Sequence, residues 1–309
     1  MKNRAQPPSS GRRAGFRRIL KTGAVIATTL GLVSCAVVDR MVTDAILRPN
    51  RKGTDAKTPE GMEARTFVMR DKVPLRAWIA RPKEEPRAVV FVLHGISDSK
   101  ATQEGTLRFL AKRRIVGIAP DFRAHGQSGG DTATYGYVEK QDISELRKVM
   151  ASEFPGLPAG LWGSSYGGAV ALQAMAIDPD FDFAIIENTF ADLRDVARQQ
   201  VIKRTSLPVS DLGPYFIDRA GEAGGFDPGK VSPENSMEQI KAPVLHMHGE
   251  EDEVIPFEQG RRISRHAKTD KYRFVPIPKG THYHLSAGDP ATYSREIDEF
   301  LDRMTSGNK

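Results

Sequence analysis

From Phe67 onward, short hydrophobic runs alternate with longer amphipathic stretches. Ala88–Leu93 is continuously apolar, which is typical of a central strand buried on both faces. Similar runs are Ile115–Ala119, Ala159–Trp162, Phe183–Ile186, Val244–Met247 and Tyr272–Val275. Helix-like patterns at about Thr102–Arg113 and Ile143–Ala151 separate them, and Phe67–Met69 with Leu75–Ile79 predicts an opening hairpin. This alternation predicts an α/β fold with a mostly parallel sheet and helices on both faces.

Residues 190–240 break the alternation. They contain charged, helix-like runs and several Pro and Gly positions, with no strand pattern. About fifty residues is long for a structureless loop inside a compact domain. We therefore expect a small cap inserted at about 190–240, with an ordinary surface excursion as the plainer alternative.

The positive charge of the chain is concentrated at its N-terminus. The net charge is +6, yet residues 1–34 hold seven Lys and Arg and no acidic residue. Removing those seven from the 45 basic residues leaves 38, against 39 Asp and Glu. The remainder therefore has a net charge of −1 and gives no overall case for nucleic-acid binding.

The N-terminus has the parts of an export signal. A basic region ends at Lys21, an apolar region covers Thr22–Val33, and Leu32–Cys35 resembles the lipobox of bacterial lipoproteins. Cys35 is the one cysteine of the chain, so it has no disulfide partner within it. We expect a signal peptide over 1–34, lipidation of Cys35, a tether over 35–62 and a hydrolase domain over 63–309.

Two other interpretations of this region stay open. Thr22–Val38 is uncharged over 17 residues, the lower limit for a signal anchor, and Cys35 could be a free thiol. Ala36 is not the aspartate associated with inner-membrane retention, so the resemblance implies a cell-envelope protein anchored in the outer membrane and facing the periplasm. Arg17 and Arg18 resemble a twin-arginine motif, which leaves the export route open between Sec and Tat.

Gly163–Gly167 reads G-x-S-x-G with Ser165 at its centre. It follows a predicted strand and precedes the helix-like stretch Ala169–Met175. A strand, a sharp turn and a helix are the context of a nucleophile elbow, which exposes the serine oxygen. Ser164 is the competing serine, but only Ser165 has glycine two residues away on both sides.

Two downstream loops supply the residue types that activate a serine. His248–Asp252 follows the predicted strand at Val244, and Gly280–His284 follows the next strand. Both loops lie at the carboxyl ends of strands, where open α/β sheets build their sites. Ser, acid and His also occur in the chain order expected for this elbow.

Together with two further motifs, these loops identify a resemblance to the α/β-hydrolases, covering Phe67 to Met304. Leu93–Gly95 resembles their HG motif, and Asp121–Ser128 resembles their D-x-R-x-H-G-x-S loop. Glu187–Phe190 and the short cap are similar to a compact esterase-like branch that includes BEM46-type and S33-peptidase-like hydrolases.

The resemblance implies Ser165 as nucleophile, Asp252 as the acid and His282 as the base. The alternatives are an ordinary solvated acidic turn at Asp252 and His284 as the base. Backbone N–H groups of Tyr166 and Ile96 are the implied oxyanion donors. The histidines and acid of the upstream loops are expected to shape those loops, namely His94, His125 and Asp121.

The expected function is a serine hydrolase that cleaves small-molecule carboxylic esters through an acyl-enzyme. The alternatives are a small peptidase or thioesterase, or an inactive lipid-anchored binding protein. We expect no cofactor, because no phosphate loop or dinucleotide fingerprint occurs. His246 and His248 lack further ligand spacing, so we expect no metal site.

Overall fold

The computed structural model describes residues 37–205 and 211–306. Its strands are β1 (Met62–Val68), β2 (Pro74–Ala80), β3 (Ala88–Leu93), β4 (Ile115–Pro120), β5 (Ala159–Ser164), β6 (Phe183–Glu187), β7 (Val244–Gly249) and β8 (Tyr272–Ile277). They form one sheet in the order β1-β2-β4-β3-β5-β6-β7-β8. β1 and β2 pair antiparallel, and β2 joins β4 antiparallel; all pairs from β4 to β8 are parallel. The predicted hairpin and mostly parallel sheet are confirmed.

Helices cover both faces of this sheet, as predicted. They are α1 (residues 37–47), α2 (Glu104–Lys112), α3 (Glu139–Glu153), α4 (Tyr166–Ile177), α5 (Leu193–Thr205), α6 (Leu212–Gly224), α7 (Pro233–Met237), α8 (Phe257–His266), α9 (Leu285–Gly288) and α10 (Pro290–Thr305). Alternate residues of β3 point to opposite faces, as the period of two requires. Val89, Phe91 and Leu93 join the core under α3, α4 and α8, whereas Val90 and Val92 join the core under α2 and α10.

α3 begins four residues earlier than the pattern predicted. Its first turn is polar, yet the carboxylate of Glu139 is buried and accepts hydrogen bonds from the backbone N–H groups of Thr134 and Gly136, both at 2.8 Å. The Thr134 hydroxyl donates to the same carboxylate at 2.6 Å. A helix start held by a buried acid has no apolar periodicity to reveal it.

The cap lies between β6 and β7 and contains α5, α6, a short 3-10 turn and α7. Its apolar side chains form a third core with Ala169 at the start of α4 and Ile255 in the loop after β7. Both residues lie at the carboxyl edge of the sheet. The insertion expected at about 190–240 therefore covers the edge where the candidate residues lie.

The expectation of a tether over 35–62 is wrong where the structure describes this segment. α1 packs on the domain: Leu47 is buried, and the Tyr135 hydroxyl donates to the carbonyl of Ile46 at 3.0 Å. Arg51 extends the contact by donating to the carbonyl of Ser128 at 2.6 Å. Thr43 and Leu47, four residues apart, give α1 a narrow buried face, although seven of its eleven residues are apolar.

The predicted signal peptide and Cys35 lie outside the described residues. Within 37–205 and 211–306, no helix has the length and apolar character needed to cross a membrane.

Candidate active site

Ser165 occupies a sharp turn between β5 and α4, with φ 56° and ψ −119°. Gly163 and Gly167, two residues before and after Ser165, must be glycine because other backbone atoms approach them closely. A Cβ on Gly167 would lie 2.1 Å from the carbonyl oxygen of Leu93, and one on Gly163 would lie 2.4 Å from the carbonyl oxygen of Gly167. The predicted strand, strained turn and helix are confirmed, and Ser165 rather than Ser164 has the strained conformation.

The structure brings Ser165, His282 and Asp252 into one chain of polar contacts. His282 Nε2 lies 3.1 Å from Ser165 Oγ, and His282 Nδ1 lies 2.7 Å from Asp252 Oδ2. A carboxylate can only accept, so Nδ1 carries the proton and Nε2 is free to accept from the serine hydroxyl. This arrangement can remove the proton of Ser165 as its oxygen attacks an electrophile.

The carboxylate of Asp252 is held from its other side as well. Asp252 Oδ1 accepts from the backbone N–H groups of Val254 and Ile255, both at 2.8 Å. Its side chain is fully buried, and that of His282 is almost so. Asp252 is therefore a fixed buried acceptor rather than part of a solvated acidic turn. His284 is exposed at the start of α9, and the structure brings His282 instead to Ser165.

Asn188, which directly follows β6, connects the two loops that carry Asp252 and His282. Its side-chain oxygen accepts from the N–H of Gly249 at 2.9 Å. Its side-chain nitrogen donates to the carbonyls of Thr281 at 3.1 Å and His282 at 3.2 Å. Asn188 is fully buried and has φ 46°, a left-handed conformation that asparagine tolerates. The sequence contained Asn188 in a family-like motif but gave no sign of this bridge.

His248 lies behind Asp252, with its Nε2 3.8 Å from Asp252 Oδ2. That nitrogen is 3.0 Å from the carbonyl of Ile255, to which it can donate a hydrogen bond. Burial lowers the pKa of His248, so the ring is neutral at physiological pH. Among the described residues, no group of three His, Cys, Asp or Glu side chains is arranged to hold a metal ion.

His94 holds the peptide between Gly95 and Ile96 in the loop after β3. His94 Nδ1 lies 2.7 Å from the carbonyl oxygen of Gly95, while His94 Nε2 accepts from the N–H of Phe122 at 3.1 Å. Burial lowers the pKa of His94 to about 4, which keeps the ring neutral in this role. Because a trans peptide directs its carbonyl and N–H oppositely, fixing the Gly95 carbonyl also fixes the N–H of Ile96.

The same loop lies beside the serine, since a Cβ on Gly95 would be 3.9 Å from Ser165 Cβ. On the other side of Ser165, Tyr166 is the first residue of α4, where backbone N–H groups have no partner within the helix. The ring of Tyr166 is buried against Phe122, with their centroids 5.0 Å apart. The N–H groups of Ile96 and Tyr166 therefore belong to the loop beside Ser165 and to the first turn of the helix that follows it.

The loop after β4 is shaped by Asp121, as the sequence predicted. Its carboxylate accepts from the N–H groups of Lys100 at 2.7 Å and Gln127 at 2.8 Å, and it pairs with the buried Lys100 ammonium at 2.5 Å. His125 Nδ1 lies 2.9 Å from the carbonyl of Arg123. These groups hold the loop and do not contact Ser165.

The chain is similar to one family model and, over most of its length, to two known proteins. A family model described as serine aminopeptidase, S33, matches residues 84–210, which include Ser165 but end before Asp252 and His282. The chain is 25% identical over 273 residues to the uncharacterized protein YqkD of Bacillus subtilis, covering 86% of this chain and 88% of that one. It is 26% identical over 258 residues to protein bem46 of Schizosaccharomyces pombe, covering 78% and 76% respectively.

Among solved structures, the chain is similar to the Pyrococcus furiosus esterase PF2001. The TM-score is 0.68 at 21% sequence identity, and the alignment covers 84% of this chain and 99% of that one. At this identity the likeness concerns the fold.

Proposed function

We propose that this protein is a serine hydrolase acting on carboxylic esters of small molecules. The chain has the α/β-hydrolase fold, and its similarities to known proteins support a hydrolase. The observation that carries the proposal is the run of contacts from Ser165 Oγ through His282 to Asp252, at 3.1 and 2.7 Å. It starts at a serine held in a strained turn and ends at a buried carboxylate.

In the proposed mechanism, Ser165 Oγ attacks the acyl carbon while His282 Nε2 takes its proton. Asp252 holds the imidazole in the required tautomer and stabilises the imidazolium that forms. The negative charge on the carbonyl oxygen is stabilised by the N–H groups of Tyr166 and Ile96. His282 then protonates the departing alkoxide, and water releases the acid from the acyl-enzyme by the same steps. These steps need no cofactor.

We take esters as the first substrate class because a protein with the same fold is described as an esterase. A peptidase is the second candidate, because the matching family model is described as a serine aminopeptidase. Turnover of soluble acyl esters, thioesters and aminoacyl anilides by the same preparation separates these activities. An ester preference of at least about tenfold in kcat/KM, or about 1.4 kcal/mol in transition-state binding, supports our proposal.

The catalytic assignment is tested by labelling the full-length protein with a fluorophosphonate. We expect Ser165→Ala to abolish labelling and Ser164→Ala to retain it. His282→Ala should reduce ester turnover by several orders of magnitude, whereas His284→Ala is the matched control and should leave most turnover intact. Absence of labelling in folded wild-type protein would instead support the binding-protein alternative.

We also propose that Cys35 anchors the protein to the cell envelope, in the outer membrane and facing the periplasm. The support is the lipobox-like Leu32–Cys35 and the preceding basic and apolar regions. Cys35→Ala should release the protein from the membrane fraction or leave it uncleaved. Unchanged fractionation together with unchanged mass would refute lipidation.

A further inference from the structure

Exposed apolar side chains are concentrated on the cap side of the molecule. Ten large hydrophobic residues are exposed on the part of the chain that the structure describes, and seven belong to α1, α6 or the loops around Ser165. The helical ones are Val37, Val38, Met41, Leu212 and Tyr215. A cluster of this kind on a globular domain indicates an interaction surface.

The five helical residues form one surface because α1 and α6 lie side by side. Arg219 Nε is 3.4 Å from the carboxylate of Asp39, and Leu47 of α1 shares an apolar core with Ile217 and Ala220 of α6. α1 buries Thr43 and Leu47, which leaves its other face outward. We call this surface, made of the outward faces of α1 and α6, the α1–α6 face.

Arg40 of α1 and Arg48 directly after it lie near the apolar side chains, and acidic residues of α1 and α6 balance their charge. Arg40 and Arg48 are mostly exposed. Each lies 3.9 Å from the carboxylate of Asp44, which is long for an ion pair, so Asp44 pairs loosely with both. Apolar side chains beside exposed arginines are typical of helices that lie in the interface of a bilayer, with the apolar groups inserted and the cations near phosphates.

A second apolar group adjoins the site itself. Ile96 is exposed in the loop after β3, and Tyr283, whose side chain is 75% exposed, directly follows His282. The rings of His282 and Tyr283 meet edge to face with centroids 5.2 Å apart. Ile96 follows Gly95 and Tyr283 follows His282, so two exposed apolar side chains lie next in sequence to residues that adjoin Ser165.

The position of α1 in the chain identifies the occupant of the face. In the sequence, α1 begins two residues after Cys35 and shortly after the uncharged segment Thr22–Val33. Whether the membrane attachment is an acyl group on Cys35 or the apolar segment itself, it ends within a few residues of Val37. A bilayer is therefore the surface that α1 meets first.

We propose that the α1–α6 face lies in the bilayer interface and that the substrate is a long-chain lipid ester, which reaches Ser165 between Ile96 and Tyr283. This inference rests on the proposed ester hydrolase for its substrate, but the membrane-facing surface can be tested without catalysis.

The surface is tested with full-length Ser165→Ala protein on vesicles of phosphatidylethanolamine and phosphatidylglycerol that contain brominated lipid. Trp78 and Trp162 are buried, so a tryptophan introduced at an exposed site dominates the change in fluorescence. We expect Met41→Trp to be quenched and Ile177→Trp not to be. Ile177 is a matched control, since it is also exposed but ends α4 at the opposite edge of the sheet. Equal quenching at both positions would overturn the membrane-facing surface.

The substrate class is tested in the active protein with umbelliferyl palmitate in the vesicles and umbelliferyl acetate in solution. Met41→Glu and Tyr215→Glu should each lower palmitate turnover about tenfold by removing apolar burial, and should leave acetate turnover unchanged. Ile177→Glu should change neither. Equal palmitate turnover in all variants would overturn the inference, whereas absence of acetate turnover in wild-type protein, with Met41→Trp still quenched, would refute the ester chemistry alone.

Discussion

Replacing Asn188 by glycine tests whether the bridge between the acid and histidine loops positions His282. Glycine accepts the left-handed φ of 46° without strain, so the variant removes the side chain and leaves the backbone conformation available. Three hydrogen bonds are lost. The N–H of Gly249 is buried and is left without its acceptor, whereas the contacts to the Thr281 and His282 carbonyls are only partly buried and cost less to lose. One orphaned buried donor and two weakened contacts cost about 3 kcal/mol of unfolding free energy.

The expected effect on turnover is separate from that on stability. Without the two contacts to its backbone, the His282 loop can shift by a fraction of an ångström, and such misplacement of a base costs about tenfold to a hundredfold. Asn188 does not face the substrate, so the loss should appear in kcat with little change in KM. Urea unfolding gives the stability, and initial rates with umbelliferyl acetate, at a temperature where the variant is fully folded, give kcat and KM.

Two variants sharpen this test. Asn188→Asp keeps an acceptor for the N–H of Gly249, but its carboxylate cannot donate to the carbonyls of Thr281 and His282. We therefore expect kcat to fall in this variant too, although the hydrogen bond to Gly249 is retained. Asn235→Ala replaces an exposed asparagine of α7 and should change neither quantity. If Asn188→Gly loses stability but folded molecules keep the wild-type kcat, the bridge is structural and the positioning argument is wrong.

Two further predictions concern the elbow and the buried histidines. Gly167→Ala places a Cβ 2.1 Å from the carbonyl oxygen of Leu93, which is rigid backbone, so we expect a loss of about 2 kcal/mol of unfolding free energy and an at least hundredfold lower kcat. The control is Gly105→Ala, at an exposed helical position with nothing within 4 Å, which should raise the unfolding free energy by up to about 1 kcal/mol. Normal turnover by Gly167→Ala would contradict the elbow geometry. Burial lowers the pKa of both His94 and His125 to about 4, so the unfolded chain binds more protons below pH 6.5 and stability falls as the pH decreases from 6.5 towards 4. Each histidine should contribute roughly 2 kcal/mol of loss between pH 7 and pH 5, and a urea series in which His125→Gln shows the same slope as wild type would refute this origin.

The sequence predicted the sheet well because its strands are buried runs whose signal is local. The sequence also offers Ser165, Asp252 and His282 in the order expected for this elbow, and their catalytic roles stay a prediction. It could not establish the bridge at Asn188, which depends on β6 lying beside β7 and on the loop after β8 returning to both. The choice between His282 and His284 likewise depends on the conformation of one loop. The docking of α1 was missed because its apolar residues lie on several faces, so the sequence does not show that Thr43 and Leu47 are the buried ones.

The contact of α1 with α6 has a mechanical consequence for the cap. Leu47 is buried in the cap core, and a Cβ on Gly224 would lie 2.6 Å from its side chain, so α1 packs closely against the end of α6. Swinging α6 away from the sheet would have to carry α1 along or expose Leu47, which alone costs about 2 kcal/mol. A chain held from its N-terminal side would thus transmit any restraint on α1 to α6. Access to Ser165 would then be controlled by small movements of the loops that carry Ile96 and Tyr283, while the end of the cap that packs against α1 stays in place.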